Sequence, residues 1–157
     1  MPSYEPWSAE RTAQIIREHW ALEGPLLPIL HGLQEAFGYI DEAAEPLIAD
    51  ALNITRAEVH GVVTFYHDFR RAPAGRHVLK LCRAESCQAA GGDELAARVE
   101  SRLGVALGNT TADGRVTVEP VYCLGLCSVS PSAMIDGRVI ARLDVKKLDG
   151  LLAEVDR

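Results

Sequence analysis

The chain has 157 residues, 48% of them hydrophobic, and a net charge of −6. That allows one domain, or one with a small appended unit, and an adequate core without disulfide staples. No Lys/Arg block stands out and no apolar run approaches the roughly 18 residues of a membrane span, so neither nucleic-acid binding nor direct membrane insertion is expected.

The first half reads as helices. Ser8 is a predicted N-cap for a helix through Trp20, with Ala13, Ile16 and Trp20 on one face. Pro25 to Phe37 carries an apolar stripe of Leu26, Ile29, Leu30, Leu33 and Phe37, and Gly38 supplies a left-handed stop. Asp41 is predicted to cap a third helix, with Leu47, Ile48, Ala51 and Leu52 apolar and Asn53 at its end. Thr55-Arg56-Ala57-Glu58 is a capping box opening a fourth helix through Val59, Val62, Val63, Phe65, Tyr66 and Phe69. Pro73-Ala74-Gly75 breaks the pattern. Residues 1–73 are therefore expected to form a small N-terminal helical bundle.

From residue 76 onward strand and helix alternate, and this stretch to 157 is expected to be a second, α/β domain. His77–Leu81 reads as a strand, about Asp93 to Leu103 as a helix closed by Gly104, and Val116–Val121 as a strand after an Asp113-Gly114 turn. Ser132–Ile135 and Arg138–Leu143 flank Asp136-Gly137, a strong hairpin signal. Asp144 is predicted to cap a last helix ending near Val155. The order β-α-β-β-β-α fits a thioredoxin-like sheet with helices on its faces.

The four cysteines carry the chemistry. They form two tight pairs, Cys82/Cys87 with C-x₄-C spacing and Cys123/Cys127 with C-x₃-C spacing, each just after a predicted strand. Four thiolates at one point select an iron–sulfur cluster or zinc. All five histidines (His19, His31, His60, His67, His77) precede the first cysteine, which disfavours a Cys₂His₂ zinc site and a Rieske-type centre. A [2Fe–2S] cluster takes two cysteines per iron and suits a pair of pairs. A zinc-stabilised adaptor, and disulfides or free thiols, stay open. Met1–Ser8 shows neither a basic n-region nor an apolar h-region, so a cytoplasmic location with reduced or metal-bound thiols is expected. A thioredoxin-like redox enzyme would want C-x-x-C instead.

Beyond the cysteines, Leu33-Gln34-Glu35-Ala36-Phe37-Gly38-Tyr39-Ile40 and Glu58-Val59-His60-Gly61-Val62-Val63-Thr64-Phe65-Tyr66 resemble hallmarks of the thioredoxin-like [2Fe–2S] subunit family of NADH dehydrogenases, the E-subunit family of respiratory complex I. Pro131 and Met134-Ile135 agree with it as well. The loop Cys82-Arg-Ala-Glu-Ser-Cys87-Gln-Ala89 is similar to that of the gamma subunit in soluble, NAD-dependent molybdenum formate dehydrogenases. The resemblance implies a thioredoxin-like [2Fe–2S] ferredoxin domain behind the helical bundle, with Cys82, Cys87, Cys123 and Cys127 as cluster ligands and no catalytic residue. It implies an electron-transfer subunit beside a flavoprotein that holds FMN, NAD and a [4Fe–4S] cluster, with a molybdenum catalytic subunit in the same complex. The equivalent subunit of an NADH-quinone oxidoreductase or an NAD-reducing hydrogenase is the alternative. An anionic cluster in an acidic chain is expected to have a low potential, offset by N–H groups near Ser86, Gly91, Gly92, Gly125 and Leu126, with Arg83 a nearby cation and Glu85 an anion. His67-Asp68 reads as a surface or partner-contact pair, His60 as a core-edge or interface residue, and Trp7 and Trp20 as packing or interface anchors. Gly61, costly inside a helix, hints at close packing of that helix.

Overall fold

A computed structural model describes residues 4–155. The chain divides into two compact units, one up to Pro73 and one from Ala74.

The first unit holds four helices: α1 (Ala9–His19), α2 (Leu26–Phe37), α3 (Ala44–Leu52) and α4 (Arg56–Phe65). Local chemistry sets most of their ends. Ser8 Oγ accepts the Arg11 N–H at the start of α1, and Gly38 ends α2 at φ 80°. Thr55 and Glu58 form both halves of the capping box on α4. Two expectations fail. Asp41 does not cap α3: its carboxylate accepts the Ala43 N–H within the preceding turn, and α3 starts without a side-chain cap. The fourth helix stops at Phe65, and Phe69 lies beyond it, folded back at 6% exposure. Ile15, Ile29, Leu30, Leu33, Ile48, Val59 and Val63 form the centre of this unit's core.

Within that core sits a charge. Glu45 is fully buried on α3 and takes an ion pair from Arg71 and a weaker one from Arg56 at 3.4 Å. His60 Nδ1 lies 3.1 Å from the same carboxylate. His60 is thus a core-edge residue bound to Glu45. Trp7 packs against the core, while Trp20 is 62% exposed.

The second unit is a five-stranded sheet in the order β2-β3-β1-β4-β5. Its strands are β1 (His77–Cys82), β2 (Asn109–Thr110), β3 (Val116–Val121), β4 (Ala133–Ile135) and β5 (Arg138–Ile140). β1 and β3 run parallel; the other pairs are antiparallel. Parallel neighbours need a crossover, and it contains a short helical turn α5 (Glu85–Cys87), an irregular turn over Gln88–Gly92, and α6 (Asp93–Leu103). A final helix, α7 (Val145–Val155), is capped by Asp144, whose carboxylate accepts the Lys147 N–H.

Period-2 alternation places Leu79 and Leu81 of β1 with Val116 and Val118 of β3 on one face. Both α6 and α7 join that one core, through Leu95 and Val99 and through Leu148 and Leu152. Arg98 and Asp149 link the two helices by a bidentate pair at 2.8 and 2.7 Å. The helices thus share a face, rather than flanking the sheet as the sequence suggested. Lys80 and Glu119, opposite each other in register, pair at 3.4 Å on the alternate positions. The short strand β2 was not anticipated, and β5 is half the length expected. Asp136 and Gly137 both take positive φ, the form a two-residue hairpin demands.

Candidate metal centre

The parallel pairing of β1 and β3 sets the site. Cys82 is the last residue of β1 and stands in register with Val121, the last of β3. Both chains therefore leave the sheet at the same end. Arg83 N–H continues the ladder onto Val121 O at 2.7 Å. The first loop turns through α5 to bring Cys87 back. The second runs through Tyr122 and Cys123 to a short turn at Cys127–Val129.

The loops are tied by serines. Ser86 Oγ donates to Cys127 O at 2.9 Å and lies 3.1 Å from Ser130 Oγ. Ser132 Oγ lies 3.5 Å from Cys87 Sγ, and Cys82 N–H donates to Ser132 O. Gly92 cradles the first loop: a Cβ there would lie 2.6 Å from Cys87 O. Arg83 donates to Gly92 O at 3.1 Å and pairs with Asp93 at 2.8 Å, so the expected cation is committed to the loop backbone and Asp93. Glu85 is exposed.

The thiols fall into two sets. Cys82 and Cys87 are buried, whereas Cys123 and Cys127 are exposed. Cys123 Sγ and Cys127 Sγ lie 3.5 Å apart. Cys123 adopts φ 122°, a conformation side-chain-bearing residues rarely take, and such strain gathers at functional sites. Gly125, at φ 77°, aims its N–H at Cys123 Sγ at 3.2 Å. Burial alone pushes the Cys82 thiol up. The Ala84 N–H, the Cys87 thiol, the Ser132 hydroxyl and the Leu124 N–H outweigh it and hold Cys82 below the usual thiol range. Cys127 is pushed up by its hydrogen bond to Cys123 and the nearby negative charge there, then by burial and the charges of Cys87 and Cys82. Crowding four thiolates costs energy, and a bound metal centre offsets it.

This donor set fits a binuclear centre. Its four thiols come in two pairs, and two irons taking two cysteines each would be held by Cys82, Cys87, Cys123 and Cys127. The sequence anticipated the Gly125 donor. It missed the N–H groups of Ala84 and Leu124 and the hydroxyls of Ser86 and Ser132. Ser132 carried one signal, a hydroxyl between Pro131 and the apolar strand Ala133-Met134-Ile135.

A strand-end cysteine pair on each of two parallel strands, above helices on one sheet face, defines a thioredoxin-like iron–sulfur domain. Residues 12–156 match the thioredoxin-like [2Fe–2S] ferredoxin model, and the chain belongs to that family, whose cofactor is a [2Fe–2S] cluster. The chain is similar to the E subunit of NADH-quinone oxidoreductase from Pseudomonas aeruginosa, 40% identical over 66% of this chain and 63% of that protein. With the corresponding E subunit from Escherichia coli K12 it shares 37% identity over 96% of this chain and 92% of that one. The NADP-reducing hydrogenase subunit HndA of Solidesulfovibrio fructosivorans is 30% identical over 84% and 77%. The crystal structure of an air-oxidised NAD⁺-reducing [NiFe]-hydrogenase matches 83% of this chain and 22% of the hydrogenase chain, with a TM-score of 0.70 and 27% identity.

Proposed function

We propose that Cys82, Cys87, Cys123 and Cys127 ligate one [2Fe–2S] cluster, and that the chain is an electron-transfer subunit without a substrate site of its own. The observation that carries this is the convergence of two cysteine pairs at adjacent ends of the parallel strands β1 and β3. The cluster supplies a one-electron carrier; the protein positions it and sets its environment. Cys82 and Cys87 anchor it in the buried floor. Cys123 and Cys127, both exposed, present its other edge to a redox partner.

The partner in this reading is a flavoprotein subunit with FMN, NAD and a [4Fe–4S] cluster. The parent complex is a cytoplasmic, NAD-dependent formate dehydrogenase, in which a molybdenum subunit oxidises formate and NAD⁺ is the final acceptor. The Cys82–Ala89 loop supports that assignment. Likeness to the E subunit of NADH-quinone oxidoreductase over nearly the whole chain, and to a hydrogenase at a TM-score of 0.70, supports a second reading as the equivalent subunit of those complexes. No described helix is long and apolar enough to cross a membrane.

Purification of the tagged chain from its source tests both levels. A brown protein with a reducible EPR signal supports the cluster; a colourless, zinc-loaded one refutes it. NAD⁺ reduction by the co-purified complex with formate, and not with hydrogen, supports the formate assignment.

A further inference from the structure

The two halves of the cysteine site differ in access to water. Cys123 and Cys127 are exposed, so water can solvate their sulfurs. Cys82 and Cys87 are 4% and 1% exposed, and any stabilisation of negative charge on their sulfurs must come from the protein. Among the described residues, the Ser132 hydroxyl stands within sulfur hydrogen-bond range of this buried pair, at Cys87 Sγ. A hydrogen bond between the two thiols would vanish once both are thiolates, because neither then has a proton to give.

Ser132 is itself 2% exposed. Its backbone is fixed, because its carbonyl accepts the Cys82 N–H at 3.1 Å and the next residue, Ala133, pairs with Leu81 in register. Its Oγ sits 3.5 Å from Cys87 Sγ, within sulfur hydrogen-bond range. A hydroxyl against thiolates can only donate. In a water-excluded setting such a bond is stronger than at the surface. It is also stronger when the acceptor carries more charge, and reduction of a cluster adds charge to its sulfurs.

We propose that Ser132 is a positioning and tuning residue for the cluster, donating a hydrogen bond from its hydroxyl to the buried Cys87 sulfur and thereby favouring the reduced state. This rests on the ligand assignment above. Ser132 moves no electron and breaks no bond. It shifts the balance between the oxidised and reduced forms.

The test is an EPR-monitored redox titration of the purified, cluster-loaded full chain and of three variants. Ser132→Ala removes the donor. Ser132→Thr keeps it, and Ser132→Val matches the threonine in shape without a hydroxyl. At the wild-type midpoint, Ser132→Ala and Ser132→Val are expected to show a reduced-to-oxidised ratio about tenfold lower, equivalent to about 59 mV for a one-electron couple. Ser132→Thr is expected to stay near wild type. If alanine and valine both fail to retain iron while threonine retains it, the hydroxyl is required for the site and the proposal stands. If threonine shifts or loses the cluster as far as valine, Ser132 is a packing residue and the proposal is overturned. Unchanged potentials in iron-replete alanine and valine variants overturn it too. A wild-type chain that carries no cluster would instead sink the ligand assignment itself.

Discussion

Cys82 and Val121 are paired partners at the ends of two parallel strands. This relationship makes a single site from cysteines far apart in sequence. An antiparallel pairing of the same strands would send the two loops to opposite ends of the sheet. The expected composition is therefore one cluster per chain, with iron and acid-labile sulfide each near about two per protein. Cys82→Ser and Cys127→Ser are each expected to lower iron content by more than about half. Iron and sulfide assays on anaerobically purified protein check this.

Gly92 gives a second prediction, about the backbone beneath the site. A Cβ at this position would lie 2.6 Å from Cys87 O and 3.0 Å from its carbonyl carbon, and neither atom can swing aside. Gly92→Ala should therefore displace Cys87, at a cost of about 1–3 kcal/mol for overpacking. Gly91→Ala is the useful contrast. Gly91 has φ 91° and open space around it, so a side chain there strains only its own backbone. The rate of cluster loss under chelator should rise more in Gly92→Ala than in Gly91→Ala. Equal rates would show that close approach at Gly92 is unimportant.

The parts of this fold legible in sequence were those whose causes are local. Ser8 and Thr55 with Glu58 each start a helix, and Gly38 and Gly104 each end one, through bonds or φ values within a few residues. The cysteine pairs were legible because their spacing is itself the signal. What was not legible depends on distant partners. Glu45 sits in an ordinary helical pattern, and its burial is set by Arg71, 26 residues away. The two residues of β2 exist only as the edge partner of β3. Ser132 reaches Cys87 because β4 pairs with β1, which no local pattern states.

Glu45 yields a prediction about pH. Burial by itself raises its carboxyl, but hydrogen bonds from Arg71, His60 and Arg56 outweigh that and leave it below the usual glutamate range. A carboxylate whose folded value is depressed stabilises the fold above its unfolded value, about 4.3, and loses that contribution as pH falls through the folded value. Glu45→Gln should cost about 2 kcal/mol at neutral pH, less than a fully buried pair because Arg71 and Arg56 remain partly exposed. The gap between variant and wild type should narrow as pH drops below about 4. Trp7 and Trp20 are the chain's two tryptophans and both lie in the helical unit, so tryptophan fluorescence during urea unfolding reads that unit selectively. A gap that stays constant down to acidic pH would contradict the assignment of Glu45 as an anionic anchor.

The last prediction concerns the outer face of α4. Gly61 is exposed, and a Cβ there would meet nothing within 4 Å. Packing among the described residues therefore gives no reason for a glycine that costs the helix about 1 kcal/mol. One turn further on, Phe65 is 72% exposed, with Tyr66 beside it at 43%. A smooth helix surface next to a bare aromatic ring is what close approach by another chain requires. We propose that in the complex this other chain is the flavoprotein, docked on the outer face of α4. Gly61→Ala should stabilise the isolated chain by up to about 1 kcal/mol. Gly61→Leu should leave the isolated fold intact yet weaken association, and Phe65→Ser should weaken it by roughly thirtyfold, corresponding to a hot-spot loss of about 2 kcal/mol. Co-purification yield and binding by interferometry, each with the complete chain, separate the two effects. Full-yield recovery of the flavoprotein with both Gly61→Leu and Phe65→Ser would place docking elsewhere on the molecule.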